Sequence, residues 1–308
     1  MATPAPRKST TVLESAALAA LRARYAIGAR LAPERTARRA LRLFGTPLAS
    51  SRRRSREADA GGAAMSMIAS HGVDLAYYVW GDPRTRPYVL LAHGWSDHAL
   101  RFLPWVRRLR AAGYAVVTFD QPGHGRSAPG RGYLIDFAAH IAAAAERFGP
   151  ATAAAGHSFG AAALALAMSD GARIGRAVLV APPADVVAAT HRFARQLRMP
   201  SSIARRMCAL VESEIGQELD SFQIQRRAPA LAPPALIVHD LDDREVPWEE
   251  GERYARYWPG ARLLNTDGLG HQRILKDAGV IDAALAFLGG AEVGERVVST
   301  QALPFGVA

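Results

Sequence analysis

Cysteine occurs once, at Cys208, in a chain of 308 residues. A single thiol excludes an internal disulfide and any metal site built from paired cysteines. Lysine is nearly absent too, with Lys8 and Lys276 standing against a combined Lys+Arg count of 38. In so alanine-rich a chain, the arginine excess reads as compositional bias rather than as selection for phosphate contacts. No apolar run reaches the ~18 residues that a membrane-spanning helix needs. The opening MATPAPRKST leads into no uninterrupted apolar stretch, which argues against a secretory leader and sets the cytoplasm as the expected location. At 49% hydrophobic residues, the chain is too apolar for a disordered tail protein and long enough to bury a sizeable core.

The formal charge of +10 invites a nucleic-acid reading, so its location matters. Residues 1–60 carry 13 basic and four acidic side chains, whereas the other 248 residues carry 25 and 24. The body is close to neutral. No aromatic stacking platform or recognition motif accompanies the arginines, so nucleic acid is not an expected partner.

Composition divides the chain into a basic, helix-patterned extension (1–60), a glycine-containing joint (61–65), an alternating body (66–289) and a short tail (290–308), expected to fray. In the body, two strand-like segments at 65–70 and 73–80 flank His71-Gly72 and read as a hairpin. Short apolar runs of the buried-strand type follow at 88–93, 115–120, 151–156, 177–181, 235–240 and 262–266, separated by helical patterns. Continuous apolar strands alternating with helices imply an α/β fold whose mostly parallel sheet is covered on both faces. Ligands on such sheets bind beyond the carboxyl ends of the strands.

Gly156-His157-Ser158-Phe159-Gly160 stands directly after one strand-like run and before a helical one. This is G-x-S-x-G in strand–turn–helix context, where a sharp turn presents the serine oxygen. Alone, the motif could arise by chance and Ser158 could simply cap a helix. A nucleophilic serine needs a base and an orienting acid, and both are available later in the chain. His271 sits on a glycine-bounded turn after the 262–266 strand, and Asp243 stands in a D-x-x-V-P loop after the 235–240 strand. The assignment is Ser158 as nucleophile, His271 as general base and then acid, and Asp243 as the group holding the imidazole tautomer. Asp240 and Asp242 compete with Asp243, and Asp185 is a weaker fourth candidate. His157 and His239 read as structural. After the first buried strand, His93-Gly94-Trp95 offers the backbone N–H of Trp95, which with that of Phe159 suits an oxyanion hole. The Trp95 indole either walls the pocket or packs in the core. Asp120–Ser127 (DQPGHGRS) reads as a structural turn, which keeps His124 out of the catalytic set.

Together the HGW, D-x-P-G-H-G-x-S, G-H-S-x-G, D-x-x-V-P and late G-H segments resemble the α/β-hydrolase family in identity and order over 66–289. The resemblance implies an eight-stranded sheet and serine-hydrolase chemistry with neither metal nor organic cofactor. Ser158 separates this chain from members that carry an aspartate at the elbow. The leading expectation is hydrolysis of a carboxylic ester through an acyl-enzyme. C–C bond, lactone or amide hydrolysis and acyl transfer stay open within the fold, and so does a catalytically silent scaffold.

Roughly 50 residues separate the 177–181 and 235–240 strands, too many for an ordinary connection. Phe193, Leu197, Ile203, Met207, Leu210 and Val211 recur there at helical spacing. They predict a small helical cap, about 183–232, whose apolar face either lines a pocket for a hydrophobic small-molecule substrate or only secures the cap. In the extension, 33–44 places Arg35, Arg38, Arg39 and Arg42 opposite Ala37, Ala40, Leu41 and Phe44 on a helix. A second helix, about 12–30, carries Leu18, Leu21 and Tyr25, and SSRRRSR (50–56) reads as a basic loop. Docking on the body is the favoured role of this arm. Peripheral contact of residues 12–56 with an anionic membrane competes with it, ahead of nucleic-acid binding or a transit peptide.

Overall fold

All eight apolar segments form strands of one sheet in the computed structural model, which describes residues 12–297, with side chains from residue 17 onward. The strands are β1 (Ala64–Ser70), β2 (Val73–Trp80), β3 (Tyr88–Ala92), β4 (Ala115–Phe119), β5 (Ala153–His157), β6 (Ala177–Val180), β7 (Ala235–Asp240) and β8 (Arg262–Thr266). Their order across the sheet is β1-β2-β4-β3-β5-β6-β7-β8. The hairpin β1–β2 and the β2–β4 pair are antiparallel. Every other neighbour is parallel.

Among the described residues, twelve α-helices accompany the sheet: α1 (Val12–Leu31), α2 (Pro33–Phe44), α3 (Ala49–Glu57), α4 (Leu103–Ala111), α5 (Leu134–Arg147), α6 (Phe159–Ser169), α7 (Val186–Gln196), α8 (Ser201–Ile215), α9 (Ile224–Arg227), α10 (Trp248–Tyr257), α11 (Gly270–Arg273) and α12 (Ala278–Leu288). β3 to β7 are buried along their whole length. That is why they read as unbroken apolar runs rather than as alternating ones. One face of the sheet, through Val89, Leu91, Val178 and Val238, packs with Phe102, Trp105 and Leu109 and with Ile281, Ala284 and Phe287 of α12. The hydropathy of α6 runs right round the helix because nine of its residues are buried. Among the described residues no helix is long and apolar enough to cross a membrane.

The chain separates into two compact units, whose borders differ from the expected division at residues 60/61. The larger comprises Gly45–Val186 and Asp220–Ala308 and contains the sheet. The smaller joins the first 44 residues to Val187–Leu219, so that α1 and α2 share one helical unit with most of the insertion between β6 and β7. The expected small cap is therefore larger than its own sequence segment. Its core consists of Tyr25, Ala37, Ala40 and Leu41 packed with Ala194, Leu197, Met199, Ile203, Ala204 and Met207. Phe44 and Phe193 add a ring contact at 4.8 Å. Arg22 Nε donates to the Gln196 carbonyl at 3.0 Å, and Arg206 pairs with Glu34. Ile203 and Met207 are thus spent on this internal core, and the pocket-lining role considered for them gives way to packing. Leu18 departs from the expected apolar face of α1, being 38% exposed.

Two further expectations are corrected. Residues 50–56 belong to a helix, α3, and not to a basic loop. The tail does not fray from residue 290: Leu263 and Glu295 exchange backbone hydrogen bonds of 2.7 Å, and Arg262 Nε donates to the carbonyls of Val293 and Gly294. The readings placed on residues 1–11 and 298–308 lie outside the described residues.

Candidate active site

Ser158 occupies the turn between β5 and α6 with φ +51° and ψ −125°, a conformation that side-chain-bearing residues rarely adopt. Such strain persists only where the surroundings enforce it. Here Ser158 N–H donates to the Val180 carbonyl at 2.8 Å, and its own carbonyl accepts from Ala161 and Ala162. The two motif glycines let the backbones meet. A Cβ on Gly156 would lie 2.6 Å from Ala161 Cα, and one on Gly160 would lie 2.3 Å from the His93 carbonyl oxygen. The motif spacing is thus a packing requirement of this turn.

The three residues singled out for chemistry converge from the ends of three strands. His271 Nε2 lies 2.8 Å from Ser158 Oγ, and His271 Nδ1 lies 2.6 Å from Asp243 Oδ2. His271 and Asp243 are buried. Asp243 Oδ1 accepts from the N–H groups of Glu245 and Val246 at 2.8 and 2.9 Å. His239 Nε2 lies 3.5 Å from Asp243 Oδ2. Burial would raise the Asp243 carboxyl, but hydrogen bonds from His239, His271 and Val246 outweigh it and hold the group well below the usual carboxylate range. Asp243 is therefore a fixed anion beside the imidazole.

The competing acids have other partners. Asp240 accepts from Thr266 Oγ1 at 2.7 Å and from the N–H groups of Asp242, Leu269 and Gly270, which secures the turn carrying His271. Asp242 is exposed. Asp185 is 3.7 Å from Arg253 and accepts from Gln223 Nε2. His157 and His239, expected to be structural, both touch the array. Burial pushes His157 down to about 3, so its neutral ring donates from Nε2 to the His271 carbonyl at 2.9 Å. His239 donates to the Val246 carbonyl at 3.0 Å and so braces the Asp243 loop. Position at the carboxyl end of a strand is the only sequence signal that could have marked them.

The loop after β3 runs past the serine. A Cβ on Gly94 would be 3.1 Å from Ser158 Cβ. Among the described residues, no protein acceptor takes the N–H of Trp95 or of Phe159. Two undonated amides flanking a serine are suited to receiving a developing oxyanion. The Trp95 indole packs at 5.6 Å from Phe159, 5.8 Å from Phe137 and 4.9 Å from His124.

This loop is braced from two sides. His124 Nε2 accepts the Ser96 N–H at 3.1 Å, and His124 Nδ1 donates to the Pro122 carbonyl. Asp120 accepts from the Ala99 and Arg126 N–H groups and from the Tyr78 hydroxyl, each at 2.8 Å. The DQPGHGRS segment is thus structural, and its structure serves the loop that carries Trp95. On the other side is α3, which sequence reasoning missed. Leu48 N–H donates to Ser96 Oγ at 3.0 Å and Ser51 Oγ donates to the Asp97 carbonyl at 3.1 Å. Arg52 reaches the carbonyls of Gly123 and Ser127, while Arg126 reaches those of Ser55, Arg56 and Ala58. No group of three or more histidine, cysteine or carboxylate side chains among the described residues is arranged to hold a metal ion.

Comparison with known proteins agrees with this architecture. A family model described as serine aminopeptidase, S33, matches residues 83–215, a span that includes Ser158 but neither Asp243 nor His271. A monoacylglycerol lipase of Mycolicibacterium smegmatis is 41% identical over 71 residues, which covers 23% of this chain and 25% of that relative. Among solved structures, a membrane phospholipase A described as a bacterial virulence factor aligns over 91% of this chain and 97% of its own, with TM-score 0.59 and 20% identity. The 2-hydroxy-6-oxo-6-phenylhexa-2,4-dienoate hydrolase of Rhodococcus sp. strain RHA1 aligns over 74% of this chain and 99% of its own, with TM-score 0.56 and 17% identity. At those identities the structural likeness speaks for the fold. Sheet order, elbow and structural likeness together give the chain the α/β-hydrolase fold, and the family model matches its central part.

Proposed function

We propose that the protein is a serine hydrolase that cleaves a carboxylic ester of a hydrophobic small molecule or lipid. One observation carries the reading: Ser158 Oγ stands 2.8 Å from His271 Nε2 on a strained elbow, with Asp243 on the far nitrogen. In the first step Ser158 Oγ attacks the ester carbonyl carbon as its proton passes to His271 Nε2. The carbonyl oxygen becomes an oxyanion facing the N–H groups of Trp95 and Phe159. Collapse breaks the carbon–oxygen bond, and His271 returns the proton to the departing alcohol. Water then attacks the acyl-enzyme with His271 again as base, which releases the acid and regenerates Ser158. Asp243 stays ionised throughout and stabilises the transient imidazolium. The partial match to a monoacylglycerol lipase and the fold shared with a phospholipase A favour a lipid ester over a peptide.

A p-nitrophenyl ester series measured with wild type and Ser158→Ala tests the proposal. Turnover is expected to fall on the order of 10⁴-fold or more, and fluorophosphonate labelling should require both Ser158 and His271. Unchanged turnover in the variant would remove Ser158 from the mechanism. Silence toward both probe and esters would instead favour a binding scaffold.

A further inference from the structure

The helical unit buries part of its apolar surface in its own core, and what α1 and α2 leave uncovered is chemically distinctive. Arg24 of α1 and Arg35, Arg38, Arg39 and Arg42 of α2 line a groove of about 780 Å³, together with Tyr25 and Ile27. On α2 these arginines recur at i, i+3, i+4 and i+7, opposite the buried Ala37, Ala40 and Leu41. On α1, Arg24, Ile27 and Leu31 recur at i, i+3 and i+7 and share a face. Ile27 and Leu31 are 59% and 81% exposed. Of eight large hydrophobic residues exposed among the described residues, four (Leu18, Ile27, Leu31 and Leu43) lie on these two helices.

Compositional bias explains why the cations are arginine. It does not explain why the described side chains of α1 and α2 include a single carboxylate. Glu34 is the one acidic residue among the described side chains of α1 and α2, and Arg206 takes it. Neighbouring like charges with bare aliphatic side chains between them repel one another in water and gain from an anionic, partly apolar surface.

We propose that this arginine face is a docking surface for an anionic phospholipid membrane. The arginines take lipid phosphates, and Ile27 and Leu31 enter the boundary between headgroups and acyl chains. A polynucleotide would satisfy the arginines equally well but would leave Ile27 and Leu31 in water, and no aromatic residue among the exposed hydrophobics offers a base a stacking surface. The inference stands on the helical unit alone, whatever Ser158 does.

The test is flotation of the full chain with vesicles of phosphatidylcholine, with and without phosphatidylglycerol. Wild type should float with the phosphatidylglycerol vesicles, lose that association as salt rises, and ignore phosphatidylcholine alone. Arg35→Glu/Arg38→Glu/Arg39→Glu should weaken it at least tenfold, and Ile27→Ser/Leu31→Ser should weaken it severalfold at unchanged charge. Arg107→Glu/Arg173→Glu/Arg296→Glu, which makes the same charge change at exposed sites elsewhere, should leave it unchanged. If charge reversal lowers the melting temperature, Arg38→Gln/Arg39→Gln replaces that arm. Equal flotation of wild type and both face variants would overturn the proposal. So would duplex DNA binding that exceeds vesicle binding and ignores Ile27→Ser/Leu31→Ser, which would assign the face to nucleic acid.

Discussion

Ser51, on a helix that precedes every strand of the sheet, donates its hydroxyl to the Asp97 carbonyl at 3.1 Å, three residues beyond the glycine that backs onto Ser158. Ser51 is fully buried, so neither partner has water as a substitute. Together with the Leu48–Ser96 bond, this ties α3 to the loop carrying Trp95. In the mechanism proposed above, an oxyanion donor works only if it is in place before charge develops, and this bond would be one source of that order. Ser51→Ala should therefore lower kcat of ester hydrolysis about 10-fold while KM stays near wild type. The unpaired carbonyl should also cost about 1–3 kcal/mol of stability. A lower melting temperature with kcat unchanged would make Ser51 a packing residue only.

Asp243 and its neighbours separate by role. Asp243→Asn should leave the fold intact and reduce kcat by about 10⁴-fold, because an amide favours the wrong imidazole tautomer. Asp242→Asn, at an exposed position, should leave turnover within about twofold. Asp240→Asn should lower kcat and melting temperature together, since Asp240 holds the Leu269 and Gly270 amides of the turn bearing His271. Steady-state kinetics beside thermal melts on the three variants check this ordering.

Acid should unfold the protein through its buried histidines. Burial is the first cause in each case, holding His93, His98 and His140 down to about 4 and His124 and His157 to about 3, against an ordinary value of 6.5. In the unfolded chain these rings take protons near pH 6.5, while in the folded chain they stay neutral until far lower pH. The unfolded state binds more protons across that window, so their contribution is complete above about pH 6.5 and is lost as pH falls toward 4. Melting temperature should decline steadily over that interval, with several protons taken up per chain on unfolding. A flat melting temperature between about pH 7 and pH 5 would contradict it.

Gly160→Ala should be far more damaging than its single methyl group suggests. The added Cβ would meet the carbonyl oxygens of His93 and Ala92 at 2.3 and 2.5 Å, and both belong to backbone that cannot swing aside. The elbow and the loop after β3 would have to separate, at a cost of several kcal/mol. The readout is soluble yield and fluorophosphonate labelling, which should fall together.

Leu41→Ala should loosen the helical unit by about 2–5 kcal/mol, the usual loss for a buried leucine. Leu41 is packed with residues of α7 and α8. Limited proteolysis should then cut first within residues 12–44, and the melting of the sheet-containing unit should change less.

Local spacing specified the strands, most of the helices, and the three residues, Ser158, His271 and Asp243, that converge at the elbow. Unbroken apolar runs, G-x-S-x-G and D-x-x-V-P each act within a few residues of chain, so the sequence carries them openly. Spacing separates Asp243 from Asp242 and Asp240 less sharply. Three carboxylates within four positions differ only in where the turn points them, and the turn spends Asp240 on backbone amides. Three other features depended on long-range packing. SSRRRSR looks like a solvated loop because its charge dominates, yet Ser51 and Ser55 are buried and Arg52 is absorbed by carbonyls of the DQPGHGRS turn. Phe193, Ile203 and Met207 look like pocket walls because an apolar stripe does not reveal what it will cover. Their partner is another apolar stripe more than a hundred residues away, on α1 and α2. That pairing also explains the charge: with Ala37, Ala40 and Leu41 of α2 buried against residues of α7 and α8, the arginines of α2 have only the outside left to face.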